Sequence, residues 1–247
     1  MEEEKIQHLT GALRNNTTLT QIRFVSNEID DEGVQLLTNA LRNNTTLKRL
    51  IFGGVEIGNK STEDIANIIR DNTALTELDL WKNEIESEER AQDLANALRN
   101  NTTITNLHLR ANRVGVKGAQ HVVDALRNNK TLIELDLSYD LLGDEAIQSL
   151  ADILRNSNTL IDLNLCGNEI GSEGAQHLAD ALRDNKTLSK LSLYGCKIGN
   201  AGAQYLADAL RINTTLTELS LSNNEVDEAT RHVVDTSKKS TKLVIGW

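Results

Sequence analysis

Residues 160–187 read LIDLNLCGNEIGSEGAQHLADALRDNKT, and the next 28 residues restate them as LSKLSLYGCKIGNAGAQYLADALRINTT. Self-similarity at this period constrains the fold more than any single residue does. A unit this short cannot bury its apolar face alone, so it must stack against copies of itself. Each unit opens with apolar residues at alternate positions, as a half-buried strand requires. It closes on AxxLAxALR, whose apolar residues recur every three to four positions along one helical face. Eight strand-bearing units begin at Leu19, Leu47, Leu75, Ile104, Leu132, Leu160, Leu188 and Leu216. Their spacing is 28 throughout, apart from 29 between Leu75 and Ile104.

In the third unit Leu75, Leu78 and Leu80 are expected to face inward while Glu77 and Asp79 face out. Leu94 and Leu98, four apart, mark the buried side of its helix. A helix is wider than the roughly 4.8 Å between paired strands, so the stack must curve with its strands inside. Strand–helix–strand crossovers are right-handed. The expected fold is therefore α/β: a right-handed horseshoe solenoid, parallel strands on the concave face and helices on the convex face. Residues 1–18 read as a half-repeat cap, because Leu9, Leu13 and Arg14 fill the positions of Leu37, Leu41 and Arg42 without a strand before them. Eight repeats then occupy 19–242. The eighth helix leaves the pattern at Ser237, Lys238 and Lys239, and residues 243–247 read as a short closing strand. The whole chain, 1–247, is expected to be one domain; an array cut from a longer one is the alternative.

The ninth position of the units holds Asn27, Asn83, Asn112, Asn168 and Asn224, interrupted by Val55, Asp140 and Cys196. A buried amide carries donors and an acceptor, enough to satisfy bare backbone where strand turns to helix. The combination LxxLxLxxN with a helical second half resembles the leucine-rich repeat, in the long form found in ribonuclease inhibitor and in the repeat domains of NOD-like receptors. Cysteine is an accepted alternative at the ninth position of that pattern, so Cys196 agrees with the resemblance. Val55, which follows Gly53 and Gly54, does not. With the extra residue and missing glycine in ESEER (86–90), it marks units two and three as the least regular. The resemblance implies a non-catalytic module that binds a protein or senses a ligand, with no cofactor. Ran GTPase-activating proteins share the fold, which makes a GTPase regulator the alternative and a purely structural array a third reading.

The formal charge of −10 argues against a nucleic-acid backbone or an anionic membrane as partner. No apolar run approaches the roughly 18 residues of a spanning helix. The first residues, MEEEKIQHL, lack the basic start and apolar block of a secretory signal. Two cysteines make no disulfide framework. A cytoplasmic monomer with reduced thiols is expected.

Three patterns invite a stronger reading than they carry. Arg14, Arg42, Arg70, Arg99, Arg127, Arg155, Arg183 and Arg211 form a row that could track phosphates, but each lies in a last helical turn beside the negative end of the dipole. Asparagines two residues later, such as Asn44, Asn72 and Asn185, suit a left-handed helix stop. Asn-x-Thr, as at Asn16 and Asn213, falls on the same turn and reads as turn chemistry rather than glycan acceptors. His108 stands between Asp79 and Asp136 at one outward position, which suggests a charge cluster before a metal site or a catalytic pair.

The outward strand positions remain, and the repeat does not dictate them. The first series is Gln21, Arg49, Glu77, Asn106, Glu134, Asp162, Lys190 and Glu218; the second is Arg23, Ile51, Asp79, His108, Asp136, Asn164, Ser192 and Ser220. Just beyond lie Trp81, Arg110, Tyr139 and Tyr194, residue types that dominate interface energetics. Trp81 and Arg110 share a position on adjacent strands, which permits stacking. The expected site is the concave face, with Trp81, Arg110, Tyr139 and Tyr194 as anchors among Glu77, Asp79, His108, Glu134, Asp136 and Asp162. A partner protein with basic residues around an apolar patch would fit it.

Overall fold

The period-two half of every repeat forms a strand and the other half a helix. A computed structural model describes residues 3–25, 29–55, 57–127, 129–237 and 243–247. Asn27, Lys238 and Lys239 lie outside them. The strands are β1 (Gln21–Val25), β2 (Arg49–Gly53), β3 (Glu77–Asp79), β4 (Asn106–His108), β5 (Glu134–Asp136), β6 (Asp162–Asn164), β7 (Lys190–Ser192), β8 (Glu218–Ser220) and β9 (Val244–Gly246). The helices are α1 (Glu3–Arg14), α2 (Asp31–Leu41), α3 (Asn59–Asp71), α4 (Glu88–Leu98), α5 (Gly115–Leu126), α6 (Asp144–Asn156), α7 (Ser172–Asp184), α8 (Gly199–Leu210) and α9 (Glu228–Thr236). The strands pair in parallel, in chain order, as one open sheet. Register keeps like against like, so Asp79, His108 and Asp136 are consecutive partners across β3, β4 and β5.

The central leucine of each strand from β2 to β8, such as Leu78, Leu135 and Leu191, is at most 1% exposed. Burying one such side chain contributes roughly 1.5–3 kcal/mol, and stacking repeats that gain once per unit. Leu19 opens the first unit with no earlier strand to cover it and is 39% exposed. Ile51, placed outward by the alternation, is nevertheless buried at 4%. At the far end β9 pairs with β8, Leu243 is buried, and Trp247 lies 5.4 Å beneath the Arg231 guanidinium. No helix among the described residues is long and apolar enough to cross a membrane.

Two amide ladders stitch the repeats together. In the first, the Asn168 side chain accepts from the backbone N–H of Asp140 and Leu142 and donates to the carbonyls of Leu137 and Leu165. Asn83, Asn112 and Asn224 are bonded in the same way across their own seams. Cys196 keeps half the pattern, its thiol lying 3.2 Å from the Leu165 carbonyl; burial pushes that thiol up to about 12. Cys166 is half-buried against the Ser192 hydroxyl, and both cysteines are free.

The second ladder corrects the helix-stop expectation. Asn72 and Asn185 have φ of −83° and −67°, extended rather than left-handed. The Asn185 side chain instead accepts from the N–H of Thr187 and Leu188 and donates to the Leu154 carbonyl of the preceding helix. Ser157 replaces this asparagine at the end of α6. It accepts weakly from Thr159 and Leu160, too short to reach α5, and a void of about 20 Å³ lies between Leu126, Leu150 and Leu154. Half of the arginine row pairs with a carboxylate on its own helix: Arg127, Arg155, Arg183 and Arg211 each face the aspartate three residues back, whereas Arg70 donates to the Asn67 amide. In the irregular third unit, Ser87 of ESEER caps α4 by accepting from the Arg90 N–H.

The ladders rank the consequences of substitution. Asn168→Ala is expected to cost about 1–3 kcal/mol, since it strands buried backbone groups. Arg127→Ala removes an exposed pair worth at most about 1 kcal/mol. Denaturant melts of the two variants test the ranking, and a larger loss for the arginine would reverse the assignment.

Candidate functional site

Each strand ends in a turn where the chain rises off the sheet, and these turns carry the large side chains. Trp81 lies two residues past β3; its indole rests on Gly53 of the preceding repeat, where an added Cβ would come within 2.3 Å of the ring. Tyr139 lies three residues past β5 with φ of +60°, the left-handed backbone also taken by Lys82 and Ala111. Its ring rests on Gly167 of the following repeat, where a Cβ would come within 2.4 Å. The two glycines are thus seats for two rings, and Gly53 gives the irregular second unit a purpose. Arg110 stacks on Tyr139, its guanidinium 5.2 Å from the ring centre, rather than on Trp81. Tyr194 stands beyond them, 41% exposed.

Between Trp81 and Arg110 the concave face opens into a cleft of about 510 Å³. Trp81, Lys82, Arg110 and Ala111 form its rim; Asp79, His108 and Asp136 form its floor. The floor is built differently from the sequence expectation. His108 places Nδ1 3.7 Å from Asp79 and Nε2 3.1 Å from Glu134, not from Asp136. Its interaction with Asp79 raises its pKa above the usual histidine value, with burial opposing and Glu134 and Asp136 adding to the rise. Asp136 accepts from the Ser138 N–H and from the Asn164 amide. Elsewhere on the face Glu77 lies 2.7 Å from Arg49, and Lys190 sits between Asp162 and Glu218. Burial raises the Asp162 pKa, with Glu134 adding to it. Lys82 and Arg110 have no carboxylate partner among the described residues. All ten expected site residues therefore lie on this face, but only Asp79, Trp81, His108, Arg110 and Asp136 line the cleft; Glu77, Glu134, Tyr139, Asp162 and Tyr194 fall outside it.

Two exposed residues were not expected. Ile133 and Ile161, at 40% and 43%, precede β5 and β6 at a position where Thr76, Thr105 and Thr217 donate a hydroxyl to the previous repeat's carbonyl. Two successive departures from that threonine were the available signal. They add an apolar edge below the carboxylates Glu134 and Asp162.

Asp140 occupies an amide position of the first ladder and is fully buried. Its Oδ1 accepts from the Asn112 N–H at 2.7 Å, as an asparagine oxygen does elsewhere. Its Oδ2 has no hydrogen-bond partner. That oxygen stands where Asn112 and Asn168 hold an NH2 that donates to strand carbonyls. A protonated carboxyl can donate there and an ionised one cannot. Burial pushes Asp140 up to about 7, against the hydrogen bonds from Asn112 and Val114 and with the charge of Asp136 adding to the rise. The turn it holds carries Tyr139, and the N–H it holds belongs to the turn of Arg110.

A family model described as Leucine Rich repeat matches residues 15–37, 100–122, 156–179, 184–207 and 213–228. Five stretches of the chain thus match the leucine-rich repeat. Among solved structures, this leucine-rich-repeat array resembles the protein LegL7 from Legionella pneumophila with a TM-score of 0.59 and 19% identity, over 87% of this chain and 69% of that one. It also resembles leiomodin-1 actin-binding site 2, with a TM-score of 0.52 and 21% identity, over 60% of this chain and 86% of that one. These likenesses show the fold. No curated protein matches the sequence.

Asp140 sets a pH dependence whose sign is fixed by its raised value. Below its ordinary pKa of 3.8 both folded and unfolded chains hold the proton. As pH rises toward about 7 only the folded chain keeps it, so stability falls across that window and levels off above it. Asp140→Asn restores the donor and is expected to stabilise on the order of 3 kcal/mol above pH 7, with little gain below pH 4. Melts of both proteins between those limits test this; a gain independent of pH would refute the buried neutral acid.

Proposed function

We propose that this chain is a non-catalytic, monomeric and cytoplasmic binding module, one domain over 1–247, that docks a partner protein across the concave turns from β3 to β7. The observation that carries this reading is the seating of the rings. Trp81 and Tyr139 are each fixed on a glycine of a neighbouring repeat, and Tyr139 in turn holds Arg110. Rigid aromatic anchors lose little freedom on association and supply most of the energy at interfaces. A chain with 3% aromatic residues gathers Trp81, Tyr139 and Tyr194 on one face.

The partner presents basic residues around an apolar patch. Asp136 and Asp162 lie between the upper ring of aromatics and the lower edge of Ile133 and Ile161. Glu77, Asp79, Glu134 and Asp162 are partly neutralised by Arg49, His108 and Lys190, so the net attraction is centred on Asp136 of β5. Such attraction speeds association and weakens with salt.

Trp81→Ala with Tyr194→Ala is expected to cost 2 kcal/mol or more, about thirtyfold in affinity, for a partner captured by the parent protein. Gly53→Ala, which retains every aromatic but drives the indole from its seat, should weaken the same partner. Pull-downs with each variant, after circular dichroism confirms the fold, provide the test. Actin, the ligand named for the leiomodin segment, belongs in the same assay. Undiminished capture by the double variant would exclude the concave site, and a GTPase assay on the captured protein separates docking from regulation of a GTPase.

A further inference from the structure

Building on the concave face as the binding surface, we propose that the cleft between Trp81 and Arg110 captures the C-terminal residue of a partner polypeptide, one whose last side chain is arginine or lysine. The rim is an anion seat. Arg49, His108 and Lys190 on this face each meet a carboxylate, whereas Lys82 and Arg110 meet none among the described residues. Two neighbouring cations without a carboxylate partner, both lining one cleft, offer a seat to an anion from outside. A guanidinium fork matches a carboxylate in two parallel hydrogen bonds. Tyr139 already holds the Arg110 fork, so little freedom is lost when it binds.

The floor asks for the opposite charge. Asp79 and Asp136 lie two to three residues nearer the strand centres than Lys82 and Arg110, and since even fully extended backbone advances only roughly 3.3 Å per residue, this offset along the chain is at most about 10 Å. A terminal arginine or lysine carries its carboxylate and its cation at the two ends of one flexible stem, and that stem can lie along Trp81. Inorganic phosphate would satisfy the rim and leave the floor unmatched; an internal basic residue would do the reverse. The volume of about 510 Å³ falls in the range of ligand pockets, room for a residue or two rather than a folded surface.

Fluorescein-labelled heptapeptides, randomised except for a last residue of Arg, Lys or Ala and made as free acid and as amide, test the proposal by anisotropy. The Arg and Lys free acids should bind, and amidation or a terminal Ala should weaken them tenfold or more, the loss expected for one charge-assisted pair. Lys82→Gln with Arg110→Gln should bring acid and amide to equal affinity, and Asp136→Asn should reduce the preference for Arg and Lys over Ala. Equal binding of acid and amide by the parent, or no binding of either, overturns the proposal. So does free arginine competing as well as the peptides, which would make the ligand a free amino acid. If the double aromatic variant loses a captured partner while acid and amide bind alike, concave docking stands and terminal capture falls. If the parent keeps its peptide selectivity while that variant captures the partner undiminished, terminal capture stands and concave docking falls.

Discussion

A backbone carbonyl left bare in a dry interior is what this fold must avoid at every passage from strand to helix, eight times over. Short strands give few ladder bonds, and the chain leaves the sheet after three residues in most repeats. The side-chain amides of Asn83, Asn112, Asn168 and Asn224 supply what the backbone lacks, each reaching one repeat back. The second ladder does the same at the other end of the unit. Leucine packing drives the stack together, but it has no direction. The amides fix register, and register is what brings Asp79, His108 and Asp136 into line on the open face.

The concave face follows from the same economy of parts. Positions pointing into the stack are committed to leucine, and those at the turn to asparagine. Strand positions facing out and the one or two residues after each strand are free to vary. Here they hold a small set of rings, two of which, Trp81 and Tyr139, are placed by a glycine on an adjoining repeat. Charge from β2 to β8 is largely paired across strands, whereas Lys82 and Arg110 on the turns meet no carboxylate among the described residues.

The fold was legible because the repeat states the same physical demand many times: inward leucines, strand order and the closing strand near Leu243 all follow from period alone. Side-chain direction was not legible. Trp81 and Arg110 share a repeat position, yet the indole turns back onto Gly53 while the guanidinium turns forward onto Tyr139, because the glycines lie on opposite sides. His108 chose Glu134 over its register partner Asp136, whose oxygens were already taken by Ser138 and Asn164. The asparagines after the helices looked like left-handed stops because composition at a turn does not reveal φ; their reach across the seam does. Ile133 and Ile161 were visible as letters, but only the hydroxyl bonds made by threonine elsewhere show what their substitution removes.

Ser157 gives the array a mechanical character. A one-dimensional stack transmits strain only through its seams, and the weakest seam decides where it yields. Between α5 and α6 one cross-repeat amide is missing and a small void replaces contact. Directly opposite, on the concave side, Arg110 and Tyr139 bridge the same two repeats. The joint is therefore slack on its outer side and clasped on its inner side, like a hinge with its pin on the concave rim. A ligand gripping both residues would stiffen the horseshoe and set its curvature, so that occupancy at the rim would be felt in the spacing of the helices behind it.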